Sequence, residues 1–411
     1  MYRILVVDDS ALMRKLMCDI INTIQGFQAT DVCSDGESAY QYLTSNTYDA
    51  ISMNMMLPRV SGLEVLKRMQ SNNIRVPVVA ISSAVKEDQE ITVEALESGA
   101  VEFVLRPYRL AGPDKLAFTH ELEKALHIAV GKPMNEAGPV NMPQESKVII
   151  KTPRVSIPPK TPSPHQPQVS FPMNGTASGV ARPKPVTPKP APKPVRQEPV
   201  VEVAPSVSNS TVVPKPVRSS RYSLVAIASS TGGPQALHTM LPMLPGHLGV
   251  PVVIVQHMPK GFTESLAERI DSKSNLRMKE AENGEVLKPD VIYIAPGGRH
   301  LEVIENQGKL VARVFDDPPV NNLRPCADVM YESLKALSID NILCVVLTGM
   351  GADGSKGIQS LKTKKNVYVI TQSEDTCVVY GMPKATDLLG LSNQSVPITG
   401  IANAIVRELG G

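Results

Sequence analysis

The sequence has little cysteine and no long apolar run, and each of these absences excludes a class of protein. Its 411 residues include five cysteines and no CxxC pair, so nothing indicates a disulfide framework. Cys18, Cys33 and Cys344 lie in apolar runs, which indicates reduced thiols and a cytoplasmic protein. No run approaches the roughly 18 apolar residues of a membrane span, and no basic region precedes a leader-length apolar run. We therefore expect neither membrane insertion nor secretion.

The sequence also lacks a strong excess of charge of either sign. Its formal net charge is +2 at pH 7, and the middle of the chain holds more lysine and arginine than acid. The remaining parts therefore lean slightly acidic, whereas a nucleic-acid-binding domain carries a basic patch. We predict that the protein has no nucleic-acid partner.

Proline is concentrated in one region. Of the 36 prolines, 20 lie between Pro133 and Arg218, where Phe171 is the only aromatic residue. Such a segment cannot bury enough apolar surface to offset the loss of chain entropy on folding. It contains the motif PKPVR twice, as expected either of a solubilising spacer or of a docking site for a proline-binding partner. The predicted organisation is a domain at 1–130, a disordered Pro-rich linker at 131–220 and a second domain at 221–411.

Both predicted domains show strands alternating with helices. In the first, the runs ILVV, DVC, YDAISM, PVVAIS and EFVL are separated by segments with helical periodicity. In the second, YSLVAIA, PVVIVQ, VIYIAP, NILCVVLTG and NVYVITQ alternate in the same way, whereas KLVARVF is typical of an added antiparallel strand. The pattern predicts an α/β fold with two doubly wound parallel sheets, flavodoxin-like in the first domain and Rossmann-like in the second.

Three strands of the second domain end near polar residues of complementary chemistry. Ser229 and Ser230 follow one strand, His257 follows the next, and Asp353 lies in the loop after NILCVVLTG. The carboxyl ends of parallel strands share one edge of a sheet, so these side chains can meet there. A serine hydroxyl becomes nucleophilic when an imidazole takes its proton, and a carboxylate orients that imidazole. All three groups of a serine hydrolase are therefore available.

The residues after Ser230 are small. Thr231, Gly232 and a second glycine permit a sharp turn from strand to helix and expose the backbone N–H groups that an oxyanion site requires. Such a turn is equally typical of phosphate binding at a helix N-terminus, although it lacks the lysine of a P-loop and the spacing GxGxxG. The residues leave both functions open, and His257 and Asp353 at neighbouring strand ends favour the esterase.

Two other histidines compete for a role. His300 follows VIYIAPGGR, and it is a rival for the base, a structural histidine or a substrate contact. His238 lies in a segment with helical periodicity, and we expect it at the surface.

Six motifs of the second domain occur in the order seen in CheB-type protein-glutamate methylesterases. They are IASSTGGPQAL, VQHMPKGFTESLAERI, EAENGEVLKPDVIYIAPGGRH, LRPCADVM, LTGMGADG and CVVYGMPKA, and the resemblance covers nearly all of this domain. It implies Ser230 as the nucleophile, His257 as the base, Asp353 as its carboxylate and Met350 beside the oxyanion site.

The same resemblance implies a reaction and a partner. The reaction is hydrolysis of γ-glutamyl methyl esters on methyl-accepting chemoreceptors to glutamate and methanol, with receptor glutamine deamidation as a second activity and no catalytic cofactor. The sequence departs from the family at two places. Ala228 and Ser229 replace the usual Gly-Ala before the nucleophile, and Cys326 stands where a serine is common. Neither change removes a catalytic group.

The first domain resembles two-component receivers. Asp8 and Asp9 end the first strand, Ser82 ends the fourth, and MLPRVSGLEVL follows the third in that family's register. In this register Asn54 occupies the position of the phosphorylated aspartate, and an amide is not a phosphoryl acceptor. Arg106 replaces the lysine after the fifth strand, which keeps the charge but exchanges an ammonium for a planar fork.

This resemblance implies a receiver that is not phosphorylated and that binds Mg²⁺ weakly or not at all, because one carboxylate of the metal site is lost. Asp8 and Asp9 then either remain metal ligands or bind loop amides, and Ser10 caps the following helix in both cases. In the family the unphosphorylated receiver covers the esterase site. A long linker lowers the effective concentration of the receiver there, so we expect a partner-binding receiver and a largely uninhibited esterase.

Two alternatives to this function remain. The first is a non-enzymatic signalling adaptor, which the loss of the acceptor at Asn54 favours and the retention of Ser230, His257 and Asp353 disfavours. The second is an esterase that acts on another protein or on a small ester. In each case we expect a cytoplasmic monomer.

Overall fold

The computed structural model describes residues 1–131 and 221–410. The predicted linker at 131–220 therefore lies, apart from Gly131, outside the described residues. In chain order the strands and helices are β1 (Tyr2–Val7), α1 (Ala11–Ile21), β2 (Phe27–Cys33), α2 (Gly36–Ser45), β3 (Ala50–Asn54), α3 (Gly62–Ser71), β4 (Val78–Ser82), α4 (Lys86–Glu97), β5 (Glu102–Leu105), α5 (Gly112–Ala129), β6 (Leu224–Ser229), α6 (Gly233–Met240), β7 (Val252–Gln256), α7 (Phe262–Asp271), β8 (Arg277–Glu280), β9 (Val291–Ile294), β10 (His300–Asn306), β11 (Lys309–Phe315), α8 (Ala327–Ser333), β12 (Asn341–Val346), α9 (Ser355–Leu361), β13 (Asn366–Gln372), α10 (Met382–Leu388), β14 (Gln394–Val396) and α11 (Ile398–Leu409).

The first domain is a parallel sheet with helices on both faces. Its strand order is β2-β1-β3-β4-β5, and every neighbouring pair is parallel, which confirms the predicted flavodoxin-like arrangement. Alternate residues of one strand enter different apolar clusters: Leu5 and Ile51 face one side, and Ile4 and Val79 face the other. Burial on both faces explains why these strands appear in the sequence as unbroken apolar runs.

The second domain is built on a larger parallel sheet with the order β14-β13-β12-β6-β7-β9-β8. This confirms the prediction of a second doubly wound sheet. The chain starts in the centre with β6, adds β7 on one side and later places β12 on the other. The point where the strand order reverses therefore lies between β6 and β12, and such a point forms a crevice at the carboxyl ends of the strands.

The segment KLVARVF forms an antiparallel strand, as predicted. It is β11, and it pairs with β10 in a separate two-stranded sheet. Leu301 and Val303 of β10 are buried in the same apolar cluster as Tyr331 of α8. The hairpin therefore covers one side of the second domain and does not extend its main sheet.

The helices of the described residues are amphipathic or short. Within residues 1–131 and 221–410, none combines the length and the apolar character needed to cross a membrane.

Candidate active site

Ser230 lies in the turn between β6 and α6. The turn is sharp because Gly232 adopts φ +75°, a left-handed conformation that favours glycine. A Cβ atom on Gly232 would lie 2.5 Å from the side chain of Val378, so a larger residue does not fit. Ser230 is held at the carboxyl edge of the sheet and is partly exposed.

The backbone of this turn offers hydrogen-bond donors to a ligand. The amide of Ser230 donates to the Thr348 carbonyl at 3.0 Å, and the amide of Gly233 donates to the Ser230 carbonyl at 2.7 Å. The amides of Thr231 and Gly232 have no acceptor within the described part of the chain. Two N–H groups at the start of α6 are therefore available to an oxyanion, as the small residues of the turn predict.

His257 and Asp353 are hydrogen-bonded to each other. Nε2 of His257 lies 2.8 Å from Oδ2 of Asp353, and their side chains are 9% and 4% exposed. His257 follows β7, and its amide donates to the Ser229 carbonyl at the end of β6. His257 and Asp353 therefore meet at the edge of the sheet that carries the Ser230 turn, as expected of residues that follow parallel strands. Within the described residues, no hydrogen bond joins the Ser230 hydroxyl to His257.

Asp353 is held by the start of α8. The amides of Ala327 and Asp328 donate to its carboxylate at 2.6 and 3.0 Å, and Sγ of Cys326 lies 3.1 Å from Oδ1. Burial alone raises the pKa of a carboxyl group, but the hydrogen bond and charge of His257, with the Ala327 amide and the Cys326 thiol, lower the pKa of Asp353 to about 2. Asp353 is therefore ionised at neutral pH and can orient the imidazole. Cys326 supplies the donor expected of the usual serine.

A buried glutamine connects the loops of Ser230 and His257. Oγ of Ser229 donates to Oε1 of Gln256 at 2.6 Å. Nε2 of Gln256 donates to the carbonyls of Ser230 and His257 at 2.9 and 3.2 Å. A Cβ atom on Gly233 would lie 2.0 Å from Oε1 of Gln256. Sequence analysis did not single out Gln256, because the last residue of a buried strand carries no motif of its own.

We predict that Gln256→Leu lowers kcat by about 10²-fold, because Ser230 and His257 lose the donor that fixes both of their carbonyls, and small displacements of catalytic groups cost about this much. Steady-state kinetics check the prediction: kcat falls more than KM rises. Circular dichroism establishes that the variant is folded. An unchanged kcat in the folded variant contradicts the positioning role.

Met350 lies in the loop after β12 and lines a cavity of about 550 Å³. Gly351, Tyr380 and Lys384 of the second domain also line it, together with Ile128 at the end of α5. The cavity therefore combines apolar and polar side chains beside the residue that the family resemblance places near the oxyanion. Ser230, His257 and Asp353 are not among its lining residues.

The structure places the two rival histidines elsewhere. His300 begins β10 and is fully buried, and its Nε2 lies 3.2 Å from the Pro318 carbonyl, which fits the structural alternative. The expectation that His238 is at the surface is wrong. It is buried, burial lowers its pKa to about 4, and its Nδ1 lies 4.0 Å from Glu97 of the first domain. Its segment faces another domain, which helical periodicity does not reveal.

In the first domain, Asp8 and Asp9 are engaged by side chains of the same domain. The guanidinium of Arg106 pairs with Asp8 and lies 3.5 Å from Oδ1 of Asp9. Nδ2 of Asn54 donates to Oδ1 of Asp9 at 3.0 Å and to the Met56 carbonyl at 2.7 Å. Burial raises the pKa of Asp8, and the charge of Arg106 opposes this shift.

Asp8, Ser10 and Ser82 also form hydrogen bonds within the first domain. Asp8 accepts the Ser10 amide at 2.9 Å, and Ser10 accepts the Met13 amide as the cap of α1, which confirms the predicted cap. Ser82 accepts a hydrogen bond from Thr92 at 2.6 Å. Ser82 therefore points toward α4 and hydrogen-bonds within the receiver.

These residues do not fit Mg²⁺. A hard divalent cation needs oxygen ligands, but Asn54 turns its N–H toward Asp9, and the Arg106 guanidinium occupies the carboxylate of Asp8. No group of three or more potential acidic, cysteine or histidine ligands exists in residues 1–131 and 221–410. The guanidinium of Arg106 therefore already supplies the positive charge beside Asp8.

We predict that the full-length protein shows no heat of Mg²⁺ binding up to millimolar concentration, because Arg106 neutralises Asp8 and Asn54 supplies no carboxylate. Titration calorimetry of the double variant Asn54→Asp/Arg106→Lys is expected to show binding, since a third carboxylate is restored and the guanidinium is removed. The single variant Arg106→Lys serves as the control. Equal Mg²⁺ binding by the unchanged protein and the double variant contradicts the prediction.

A receiver-type sheet followed by a second doubly wound α/β domain is the architecture of a response regulator with an effector domain. Residues 4–113 match the response regulator receiver domain, and residues 225–405 match the CheB methylesterase family. The chain belongs to the CheB family of chemotaxis methylesterases and is a hydrolase.

Proteins from three bacteria illustrate this relationship. Two are named protein-glutamate methylesterase/protein-glutamine glutaminase, and the third, from Syntrophomonas wolfei, carries the same name with the suffix 1. The protein of Geobacillus kaustophilus is 35% identical over 99% of both chains. That of Syntrophomonas wolfei is 33% identical over 99% of both chains. That of Halalkalibacterium halodurans is 32% identical over 99% of this chain and 98% of its own. The similarity therefore covers nearly the whole chain, including both domains.

Proposed function

We propose that the protein hydrolyses γ-glutamyl methyl esters of chemoreceptors to glutamate and methanol, with Ser230 as nucleophile, His257 as general base and Asp353 as the orienting carboxylate. The observation that carries the proposal is the 2.8 Å hydrogen bond between His257 and Asp353 at strand ends beside the Ser230 turn. Nε2 of His257 is engaged by the carboxylate, so Nδ1 keeps the lone pair that a base requires.

The first half of the reaction forms an acyl-enzyme. Oγ of Ser230 attacks the ester carbonyl while Nδ1 of His257 takes the hydroxyl proton. The amides of Thr231 and Gly232, with the loop at Met350, stabilise the negative oxygen of the tetrahedral intermediate. The intermediate collapses, the C–O bond to the methoxy group breaks, and the imidazolium protonates the departing methoxide, which leaves as methanol.

The second half releases the product. A water molecule gives a proton to His257 and attacks the acyl carbon, and the new tetrahedral intermediate expels Oγ of Ser230, which regains its proton. The product is a glutamate γ-carboxylate. A glutamine side chain presents the same carbonyl with an amide leaving group, so the same residues release ammonia from it. No cofactor enters these steps, and a monomer carries every group that they use.

The receiver acts without phosphoryl transfer, because Asn54 offers an amide at the acceptor position. Its hydrogen bonds to Asp9 and to the Met56 backbone support a structural role for this side chain. Regulation of the esterase then depends on protein contacts of the receiver, including a signalling partner, and the enzyme meets the receptors at their cytoplasmic helices.

Membranes with chemoreceptors that carry radiolabelled methyl esters test the function. The full-length protein is expected to release labelled methanol, and to release ammonia from receptors with glutamine at the same sites. An adaptor releases neither product. An esterase for other substrates cleaves p-nitrophenyl acetate but leaves the receptors methylated.

A further inference from the structure

Thr348 follows β12 and lies against the turn of Ser230. Its side chain is buried, with 1% exposed, and its carbonyl accepts the Ser230 amide at 3.0 Å. Its methyl group packs against Gly232, where an added Cβ atom would lie 3.2 Å from Cγ2 of Thr348. No step of the proposed reaction uses this residue. A buried polar side chain without an assigned role therefore contacts the turn that carries the proposed nucleophile.

The hydroxyl of Thr348 links this turn to a second loop. It lies 3.0 Å from the Thr231 carbonyl, and it accepts the Val379 amide at 3.0 Å. The other acceptor within reach, the Val379 carbonyl at 3.2 Å, already accepts the Gly349 amide. The Thr231 carbonyl has no other donor within residues 1–131 and 221–410. The single proton of the hydroxyl is therefore donated to Thr231.

This hydrogen bond fixes the direction of the Gly232 N–H. The Thr231 carbonyl and the Gly232 N–H belong to one peptide unit, which is trans, and in a planar trans unit the C=O and N–H groups point in opposite directions. Because the carbonyl is directed at Thr348, the Gly232 N–H is directed away from it. That N–H has no acceptor in the part of the chain that the structure describes.

The second available amide of the turn is fixed in the same way by another side chain. The Thr231 N–H shares a peptide unit with the Ser230 carbonyl, which accepts Nε2 of Gln256 at 2.9 Å. Gln256 and Thr348 thus hold consecutive peptide units, each from a buried position. The Thr231 side chain takes no part in this, since its hydroxyl donates to Glu102 at 2.6 Å.

Thr348 is itself held by hydrogen bonds and by its shape. Its amide donates to Oε1 of Gln372 at 2.8 Å, and Nε2 of Gln372 donates to the Thr376 carbonyl at 2.7 Å. The branch at Cβ restricts rotation of the side chain, so the packing of Cγ2 against Gly232 keeps Oγ1 on Thr231. A valine would have the same shape and would lack only the hydrogen-bonding group.

We infer that Thr348 is a positioning residue of the oxyanion site, whose hydroxyl directs the Gly232 N–H at the negative oxygen of the tetrahedral intermediate. The inference rests on the proposed function, in which this amide stabilises that oxygen. A donor whose direction is fixed before the reaction needs no reorientation as the charge develops. Without the hydroxyl, the peptide unit before Gly232 rotates more freely, because glycine has wide conformational freedom.

Thr348→Val in the full-length protein removes the hydroxyl. It is expected to lower kcat for methanol release from methylated receptors by about 10²-fold with little change in KM, because one oxyanion donor contributes about 10²–10³ to kcat. Thr348→Ser keeps the donor and is expected to retain kcat within about tenfold, since only the restriction of its rotamer is lost. Thr386→Val is the matched control and leaves kcat unchanged, because it removes a buried hydroxyl that donates to the Met382 carbonyl within α10.

A boronic acid separates oxyanion stabilisation from a general loss of structure. In N-acetyl-2-amino-4-boronobutanoate, boron replaces the side-chain carbonyl carbon of glutamate. Oγ of Ser230 bonds to boron, its proton passes to Nδ1 of His257, and a tetrahedral borate anion forms without a leaving group. Thr348→Val is expected to weaken binding by about the same factor as kcat, whereas Thr348→Ser and Thr386→Val bind nearly as tightly as the unchanged protein. In Ser230→Ala no borate forms, so adding Thr348→Val has no further effect.

Two results overturn the inference and leave the esterase intact. One is equal affinity of the boronic acid for the unchanged protein and for Thr348→Val, with folding established by circular dichroism. The other is a Thr348→Ser variant as impaired as Thr348→Val, which indicates that packing and not the hydroxyl matters. If Thr348→Val does not fold, Thr348→Ala removes the same hydroxyl without crowding, and the same results decide.

Failure of the proposed function gives a different result. The unchanged protein then releases no methanol and binds the boronic acid no more tightly than Ser230→Ala does, which contradicts both proposals. If the boronic acid binds through Ser230 but the receptors stay methylated, only the receptor substrate is refuted. The affinities of Thr348→Val and Thr348→Ser then still decide the role of the hydroxyl.

Discussion

Ser230→Ala is expected to lower kcat for receptor demethylation by about 10⁵-fold or more, because removal of the nucleophile from a triad costs nearly as much as removal of all three groups. The variant is expected to fold, since Ser230 is partly exposed and its amide, which remains, makes the hydrogen bond to the Thr348 carbonyl. Initial rates of methanol release at saturating receptor measure the effect.

The neighbouring serine provides a matched control. Ser229 is fully buried, and its hydroxyl donates to Gln256, so it does not face a substrate. Ser229→Ala loses one neutral hydrogen bond and is expected to lower kcat by less than about tenfold. If the two alanine variants lose activity equally, the assignment of the nucleophile to Ser230 is contradicted.

Asp353→Asn is expected to lower kcat by about 10⁴-fold, as loss of the orienting carboxylate does in other triads. The amide cannot stabilise the imidazolium, and it presents an N–H or a neutral oxygen to Nε2 of His257. Single-turnover kinetics separate the slower acylation from any change in substrate binding. Cys326→Ser keeps a donor to Asp353 and is the control, with an expected change of less than about tenfold.

The unchanged protein and Asp353→Asn are also expected to differ in how much folding stability they lose at acid pH. The pKa of Asp353 in the folded protein is about 2, below the ordinary value, so its ionised form stabilises the fold above about pH 4 and loses this effect as pH falls toward about 2. Asp353→Asn should therefore narrow the stability difference between neutral and acid pH. Denaturant unfolding at pH 7 and pH 3 measures the loss of folding stability in the unchanged protein and in Asp353→Asn. An equal loss in both proteins contradicts a low pKa for Asp353.

The main strands could be predicted because helices cover both faces of each sheet, which makes the central strands continuous apolar runs. The strands β8 and β14 could not be predicted from the sequence. The first reads RMKE, and the second has three residues, so neither shows a pattern that separates it from a loop. The order of the strands does not follow from their order along the chain, since β2 and β3, like β7 and β8, are consecutive in sequence but are not neighbours in their sheets.

The positions of the site residues could be predicted because the carboxyl ends of parallel strands share an edge. The role of Gln256 could not be predicted, because a glutamine at a strand end has many possible hydrogen-bond partners. The contact between Glu102 and Thr231 joins residues separated by 129 positions and depends on how one domain docks on the other. His238 was placed wrongly for the same reason, since its helix faces the receiver.

Methanol release from methylated chemoreceptor membranes, measured side by side for the unchanged protein, Ser230→Ala and Ser229→Ala, is the decisive experiment. A Ser-His-Asp methylesterase predicts release by the unchanged protein, its retention in Ser229→Ala and its loss in Ser230→Ala. Release that persists in Ser230→Ala, or no release by the folded, unchanged protein, contradicts the proposed function.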